Sequence, residues 1–371
     1  MFRRLSNLAA VLPGRDPVPS ISRDTFIVWE PCSYSHAEVV PGYVKYLLDL
    51  GYQVSVFLTP KRFEEGLFSR FDDSRVSLNR LSQAAIRRFF KNHRLAQARG
   101  ILITTARKIS GSDNYDEEYA LFSGHSAEQK VLLVEHDAKA PVDNGSITPQ
   151  VITLRKIHYK NAATTVVNPH YFGKVKVAAK TAGVVNFITI GALRGKRRNT
   201  GVLIDAAERL RDGGITNFKI TIVGRGSLRG IPRAVRKHFH PKGRLDFSHL
   251  YEELERSDFF LTLLDPENPL HERYITTGTS GSFQLIYGFQ KPCLIAEKFA
   301  RPNGFDNANS IVYGGNSDLA RAMSAAVRMT PLEYDSMQSA LKKCADAVYA
   351  ESLENLRRLI EGRQRADETV Q

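Results

Sequence analysis

With 371 residues the chain exceeds the length at which one hydrophobic core keeps growing, so two domains are expected. Its composition is that of an ordinary globular protein, and no stretch approaches the roughly 18 continuous apolar residues that a membrane-spanning helix requires. Three widely spaced cysteines (Cys32, Cys293, Cys344) fit neither a disulfide framework nor a zinc site and point to a reducing compartment, while a formal charge of +13 attracts phosphates, anionic headgroups or nucleic acid without choosing among them.

Residues 1–22 are basic at the start, poor in acids and without a long apolar run, and read as a flexible arm outside the fold; a short interfacial helix or a transit peptide are the other readings. From Thr25 the pattern alternates strand and helix, which implies α/β architecture with a mostly parallel sheet. The first domain, 23–174, opens with a buried-type strand, Thr25–Glu30, and a loop that carries His36 and Glu38. A helix with Val40, Val44, Leu47 and Leu48 on one face ends at Gly51, and a strand follows at Gln53–Leu58. Between Ala85 and Arg94, Ile86, Phe89 and Phe90 are interleaved with Arg87, Arg88, Lys91 and Arg94. Such a helix suits an anionic membrane surface or packs its apolar stripe on its own domain. Further strands are expected at Ile101–Thr104, Lys130–Glu135 and Thr164–Val167.

Residues 175–185 carry little pattern and read as a linker to a second domain, 186–345. Its first strand, NFITIG, leads to a helix with Leu203, Ala206, Ala207 and Leu210 at i, i+3, i+4 and i+7, then Gly213-Gly214 and the strand FKITIVG, a clear βαβ unit. Strands FFLTLL, CLIAE and SIVYGG complete a second parallel sheet, and helices are expected at Asp318–Arg328 and Pro331–Ile360. Residues 346–371 are the end of the last helix and a tail, which can pack back on the first domain.

Open α/β sheets bind ligands at the carboxyl ends of their strands, and four segments of the second domain lie there. After Gly191 a loop holds Arg194, Lys196, Arg197 and Arg198, a cation density that suits a diphosphate or simply solvates a basic loop. Gly224 and Arg225 open a glycine turn after the next strand. The segment before FFLTLL offers Tyr251 either to a nucleobase or to the core, and Asp265, Glu267 and Glu272 could meet sugar hydroxyls or cap loops. The most informative segment is TTGTSGSFQLIYGFQKPCLI, Thr276–Ile295. Thr279, Ser280 and Ser282 stand where a helix N-cap belongs, and Gly278 and Gly281 let a ligand approach the backbone. Free N–H groups and the helix dipole there favour an anion, of which a phosphate or diphosphate is the natural choice.

This order of glycine-basic loop, IVGRG, SDFFLTLL, Gly/Ser turn, helix, Lys-Pro and strand resembles the C-terminal nucleotide-sugar-binding domain of the GT-B glycosyltransferases, most nearly family four, over Asn186 to about Ile360. VLLVEHD, ending at His136-Asp137, resembles that family's strand whose histidine faces the donor sugar, and VVNPHYFG resembles the last strand and turn before the interdomain linker. The resemblance implies a GT-B fold of two Rossmann-like domains facing a central cleft. Two departures stand out. The paired glutamates of many family-four members fall on Thr277 and Leu285, and the arginine that follows the first glycine is Ala192. The resemblance therefore leaves open whether transfer retains or inverts; an inverting transfer needs a base, for which His36, Glu38, His136 and Asp137 are the candidates.

The implied activity is transfer of a sugar from a nucleotide diphosphate sugar to a glycan or lipid-linked hydroxyl in surface polysaccharide synthesis, with no metal or other cofactor. The protein is expected in the cytoplasm, either free or peripheral at the inner face of an anionic membrane. A nucleotide-sugar epimerase of the same architecture and a basic nucleic-acid-binding or scaffold protein are the competing readings; no nucleic-acid motif is present, so no nucleic-acid partner is expected.

Overall fold

The computed structural model describes residues 21–32, 36–92, 97–106, 130–180, 183–191, 198–225 and 230–362. The first strand, β1 (Thr25–Trp29), is buried along its whole length, with Phe26 and Val28 entering one core and Ile27 and Trp29 another. Only a central strand covered on both faces reads as such an unbroken apolar run. Around it lie β2 (Gln53–Leu58), β3 (Val76–Arg80), β4 (Gly100–Ile103), β5 (Lys130–Glu135), β6 (Val151–Thr153) and β7 (Thr165–Val166). They form one parallel sheet in the order β3-β2-β1-β4-β5-β6-β7.

The second sheet is built from β8 (Val185–Ile190), β9 (Phe218–Val223), β10 (Phe239–Gly243), β11 (Phe259–Leu261), β12 (Cys293–Ala296) and β13 (Ile311–Tyr313). Its order, β10-β9-β8-β11-β12-β13, is again parallel throughout and reverses direction beside its first strand. Both halves are therefore doubly wound, and each has its ligand-binding crevice at the carboxyl end of its central strands. The expected two-domain Rossmann-like architecture is what the chain adopts.

Three strands are additional to the sequence expectation. In β3 the side chains are half-buried or exposed, so no apolar run marks it. β6 is three residues long. β10 reads FHPKG and carries Pro241 beside a register shift, which a sheet tolerates at an edge because the missing N–H faces outward.

The basic amphipathic segment forms the helix Gln83–Asn92. Ala85, Ile86, Phe89 and Phe90 pack on Trp29, Phe57, Ile101 and Ile103, so its apolar stripe is consumed by its own domain. Among the described residues no helix is long and apolar enough to cross a membrane.

The last helix, Pro331–Glu361, is 31 residues long and serves both cores. Thr330 and Glu333 form a capping box at its start, Pro331 occupies the first turn, and Gly362 ends it in the left-handed conformation. Tyr334, Leu341 and Ala345 pack in the second domain, whereas Leu356 and Ile360 pack in the first. Between them Ser352 Oγ accepts the Asn168 N–H at 3.0 Å, and the His170 ring shares a hydrogen bond with the Ala345 carbonyl at 3.1 Å.

Candidate functional site

The carboxyl ends of the two sheets meet. Asp137, just past β5, pairs with Gly278 in an antiparallel bridge, the Ala138 N–H donates to Thr277 O at 2.8 Å, and the Thr279 N–H donates to His136 O at 3.2 Å. Arg155, which follows β6, donates to the carbonyls of Gly278, Ile275 and Pro302 at 3.2, 3.0 and 3.4 Å. Arg273 holds Asp137 through an ion pair of 2.9 Å. Backbone and cations thus fasten the His136-Asp137 turn of one domain to the Thr277–Thr279 turn of the other.

Immediately after that turn Ser280 caps the helix Gly281–Phe289, its hydroxyl accepting the Ser282 N–H at 3.4 Å. Arg198 reaches the same point from the end of β8. Arg198 is 6% exposed, and its guanidinium donates to Ser282 Oγ at 3.0 Å and to the Ile190 carbonyl. A buried cation, a serine hydroxyl and the positive end of a helix of nine residues converge on one spot. Gly191 and Gly224 make room for this. Gly191 has φ 134° and Gly224 φ 150°, and a Cβ on Gly224 would lie 1.8 Å from the Gly191 oxygen, so only glycine lets the ends of β8 and β9 come so close. Arg225 is exposed beside them.

Across the gap stand the groups of the first domain. His36 is held at φ 69°, and its ring lies 4.1 Å from that of His136, centroid to centroid. His136 Nε2 is 2.8 Å from the Thr104 carbonyl, which can only accept, so Nε2 carries the proton and Nδ1 is the basic nitrogen. Glu38 sits over the start of the capped helix: a Cβ built on Gly281 would be 2.5 Å from Glu38 Oε1. The bare Cα of Gly281 is what admits the carboxylate. Behind these residues Glu30, fully buried at the end of β1, accepts from Thr104 Oγ1 at 2.7 Å, Thr105 Oγ1 at 2.9 Å and the Cys32 N–H. Burial pushes its carboxyl up to about 7 despite those donors and nearby Arg62.

The structure therefore gathers His36, Glu38, His136, Asp137, Gly191, Arg198, Gly224, Thr279, Ser280, Gly281 and Ser282 at one cleft. Three expected cations, Arg194, Lys196 and Arg197, lie outside the described residues. One expectation is corrected. Tyr251 is fully buried among Phe172, Phe247 and Phe289, so it is a core residue and offers no face to a base. Glu272 is exposed, with its carboxylate 2.7 Å from Lys298 Nζ and its backbone oxygen accepting from Thr276 Oγ1. Asp265 likewise accepts from Asn199 and Asn316, at 2.8 and 2.9 Å, and ties loops together. Residues the sequence did not single out are Glu30, Arg155 and Arg273. Nothing local marks them, because each acquires its role from a partner elsewhere in the fold. Among the described residues no three His, Cys, Asp or Glu side chains are grouped to hold a metal.

Two facing doubly wound domains with the crevice between their strand ends define the GT-B fold. The chain is similar in structure to a glycosyltransferase of avilamycin A biosynthesis, AviGT4, with TM-score 0.58, 13% identity, and coverage of 92% of this chain and 99% of that one. It is also similar to the pneumococcal O-GlcNAc transferase GtfA solved with UDP and GlcNAc, at TM-score 0.57 and 10% identity over 91% and 99%. Anabaena HepE solved with UDP-glucose gives TM-score 0.57 and 11% identity over the same shares. No protein-family model and no curated protein sequence matches the chain.

Proposed function

We propose that this protein is a glycosyltransferase that moves a sugar from a nucleoside diphosphate donor to a hydroxyl of a glycan or lipid-linked acceptor. The observation that carries the reading is the convergence of Arg198, the Ser282 hydroxyl and the capped N-terminus of Gly281–Phe289 opposite His136 and Glu38. In the reaction the bond between the sugar C1 and the diphosphate oxygen breaks, and the electron pair leaves with the diphosphate. A new C1–oxygen bond forms to the acceptor, whose hydroxyl proton must be taken up. Charge developing on the leaving diphosphate is stabilised by the preorganised guanidinium and helix N–H groups, which need no reorganisation as it forms. His136, through Nδ1, or Glu38 is placed to receive the acceptor proton in an inverting transfer.

The Glu38 carboxylate also occupies the space at Gly281 that a phosphate of the donor would use. Donor entry then displaces it toward the acceptor side, where a base is needed. Two structural neighbours were solved with uridine nucleotides, which puts UDP and UDP-sugars first among donors to test. Surface polysaccharide assembly at the inner face of an anionic membrane fits the charge of +13.

The test is calorimetry with UDP and UDP-sugars on the wild type and on Arg198→Ala. Hydrogen bonds to a charged group contribute about 1.5–3 kcal/mol, so the variant should bind UDP roughly 10- to 100-fold more weakly. Arg198→Lys should recover only part of this, since a point charge does not reproduce the guanidinium fork. Unchanged affinity in Arg198→Ala would remove this cleft as the donor site.

A further inference from the structure

Behind the staple between the domains lies a second cavity, of about 1430 Å³. Its walls are the segment from Leu154 to Val166 of the first domain, the flank of the helix Gly281–Phe289, and the final turns of the C-terminal helix. Ligand pockets commonly span about 300–1,000 Å³, so the space exceeds that of a single small molecule. Thr279 lines it and also stands beside the cap Ser280, so the cavity begins where the donor cradle ends.

The charge of the lining is one-sided. Among the described residues that line it, Lys130, Arg155, Lys156, Lys160 and Arg358 face a single carboxylate, Glu351. Lys160 is paired with Asp143, and Arg358 with Glu354. Among the described residues Lys130, Lys156 and Arg155 have no carboxylate partner. Arg155 is the most telling, because it is 8% exposed, bonds only carbonyls, and leaves its Nε without an acceptor. A buried cation without a counter-ion is costly, and burial alone lowers its pKa to about 10. Interspersed with the cations are the side-chain amides and hydroxyls of Asn161, Thr164 and Asn355 and the half-buried aromatic ring of Tyr159. Sugar hydroxyls bond such amides, a sugar C–H face rests on such a ring, and the unpaired cations call for negative charge.

We propose that this cavity binds an acidic oligosaccharide, with negatively charged groups opposite Lys130, Lys156 and Arg155. The transferase reading enters at one point only, in making the occupant the acceptor chain whose growing end reaches the cleft past Thr279.

Hyaluronan tetrasaccharide, which carries carboxylates, is the probe. Calorimetry on the full chain should show binding that weakens as salt is raised, while neutral chitotetraose binds at least about tenfold more weakly. Lys156→Glu, and more strongly Lys130→Glu with Lys156→Glu, should cut tetrasaccharide affinity about tenfold or more while leaving UDP affinity unchanged. Both lysines lie outside the donor cradle, so retained UDP binding certifies the fold. Equal binding of the neutral sugar, equal competition by inorganic pyrophosphate, or an unaltered charge-reversed variant would overturn the proposal. Loss of binding to phosphatidylglycerol vesicles in these variants, without any tetrasaccharide binding by the wild type, would overturn it in favour of a lipid surface. If the tetrasaccharide binds and no nucleotide does, the cavity stands and the donor reading falls.

Discussion

Glu38 and Arg198 reach adjacent residues at the start of one helix from opposite domains, and they bring opposite charges to it. A carboxylate at a helix N-terminus is favoured by the dipole and competes with any phosphate for the same place. Glu38→Gln should therefore tighten UDP binding several-fold by calorimetry while slowing sugar transfer; weaker UDP binding would show that the carboxylate does not occupy the cradle. Glu30 makes a separate prediction about pH. Its carboxyl titrates near 7 in the folded protein and near 4.5 when unfolded. Folding thus favours the protonated form, so this contribution is fully present below about pH 4.5 and is lost as pH rises through 7. Denaturant unfolding at pH 5 and 8 should show a difference on the order of 3 kcal/mol that Glu30→Gln largely removes. A wild-type pH dependence unchanged in that variant would remove Glu30 as its source. At this scale legibility was uneven. The run Thr279–Ser282 could be read because caps and glycines act locally, whereas the approach of Glu38 to Gly281 depends on how two domains face each other, which no local pattern encodes.

Secondary-structure elements were legible in proportion to how completely they are buried. β2 and β5 are long and apolar, and their observed bounds are those expected from the sequence. The edge strands β3 and β10 escaped because one is solvated and the other contains proline. The helix Gln83–Asn92 shows the limit of amphipathic patterning: the same stripe fits a bilayer or a sheet, and only the fold reveals Trp29 and Phe57 waiting beneath it. With the stripe buried, this helix can offer a membrane only exposed charges such as Arg88. Attachment through this helix to anionic vesicles should therefore be reversed in flotation by raising salt, since exposed charges are screened within about 10 Å at 0.1 M. Flotation that persists at high salt would require an apolar insertion that this helix cannot supply.

For the molecule as a whole, the last helix makes the two cores interdependent. Ile360 is 1% exposed in the core of the first domain although its helix begins in the second. Ile360→Asp buries an unpaired charge there and should lower the melting temperature of the first domain by several degrees or more; an unchanged melt would mean that the helix end is not anchored. The two places where chain passes between the domains lie side by side, with Asn168 bonded to Ser352 and His170 to Ala345. Two adjacent crossings define an axis. A single tether would let the domains slide and twist, whereas a pair leaves rotation about the line joining them as the cheap motion. Opening of the cleft about that line would resemble a door on two hinges, with the Thr277–Thr279 and His136-Asp137 turns as the latch, and the separation of Glu38 from Gly281 would follow that one angle.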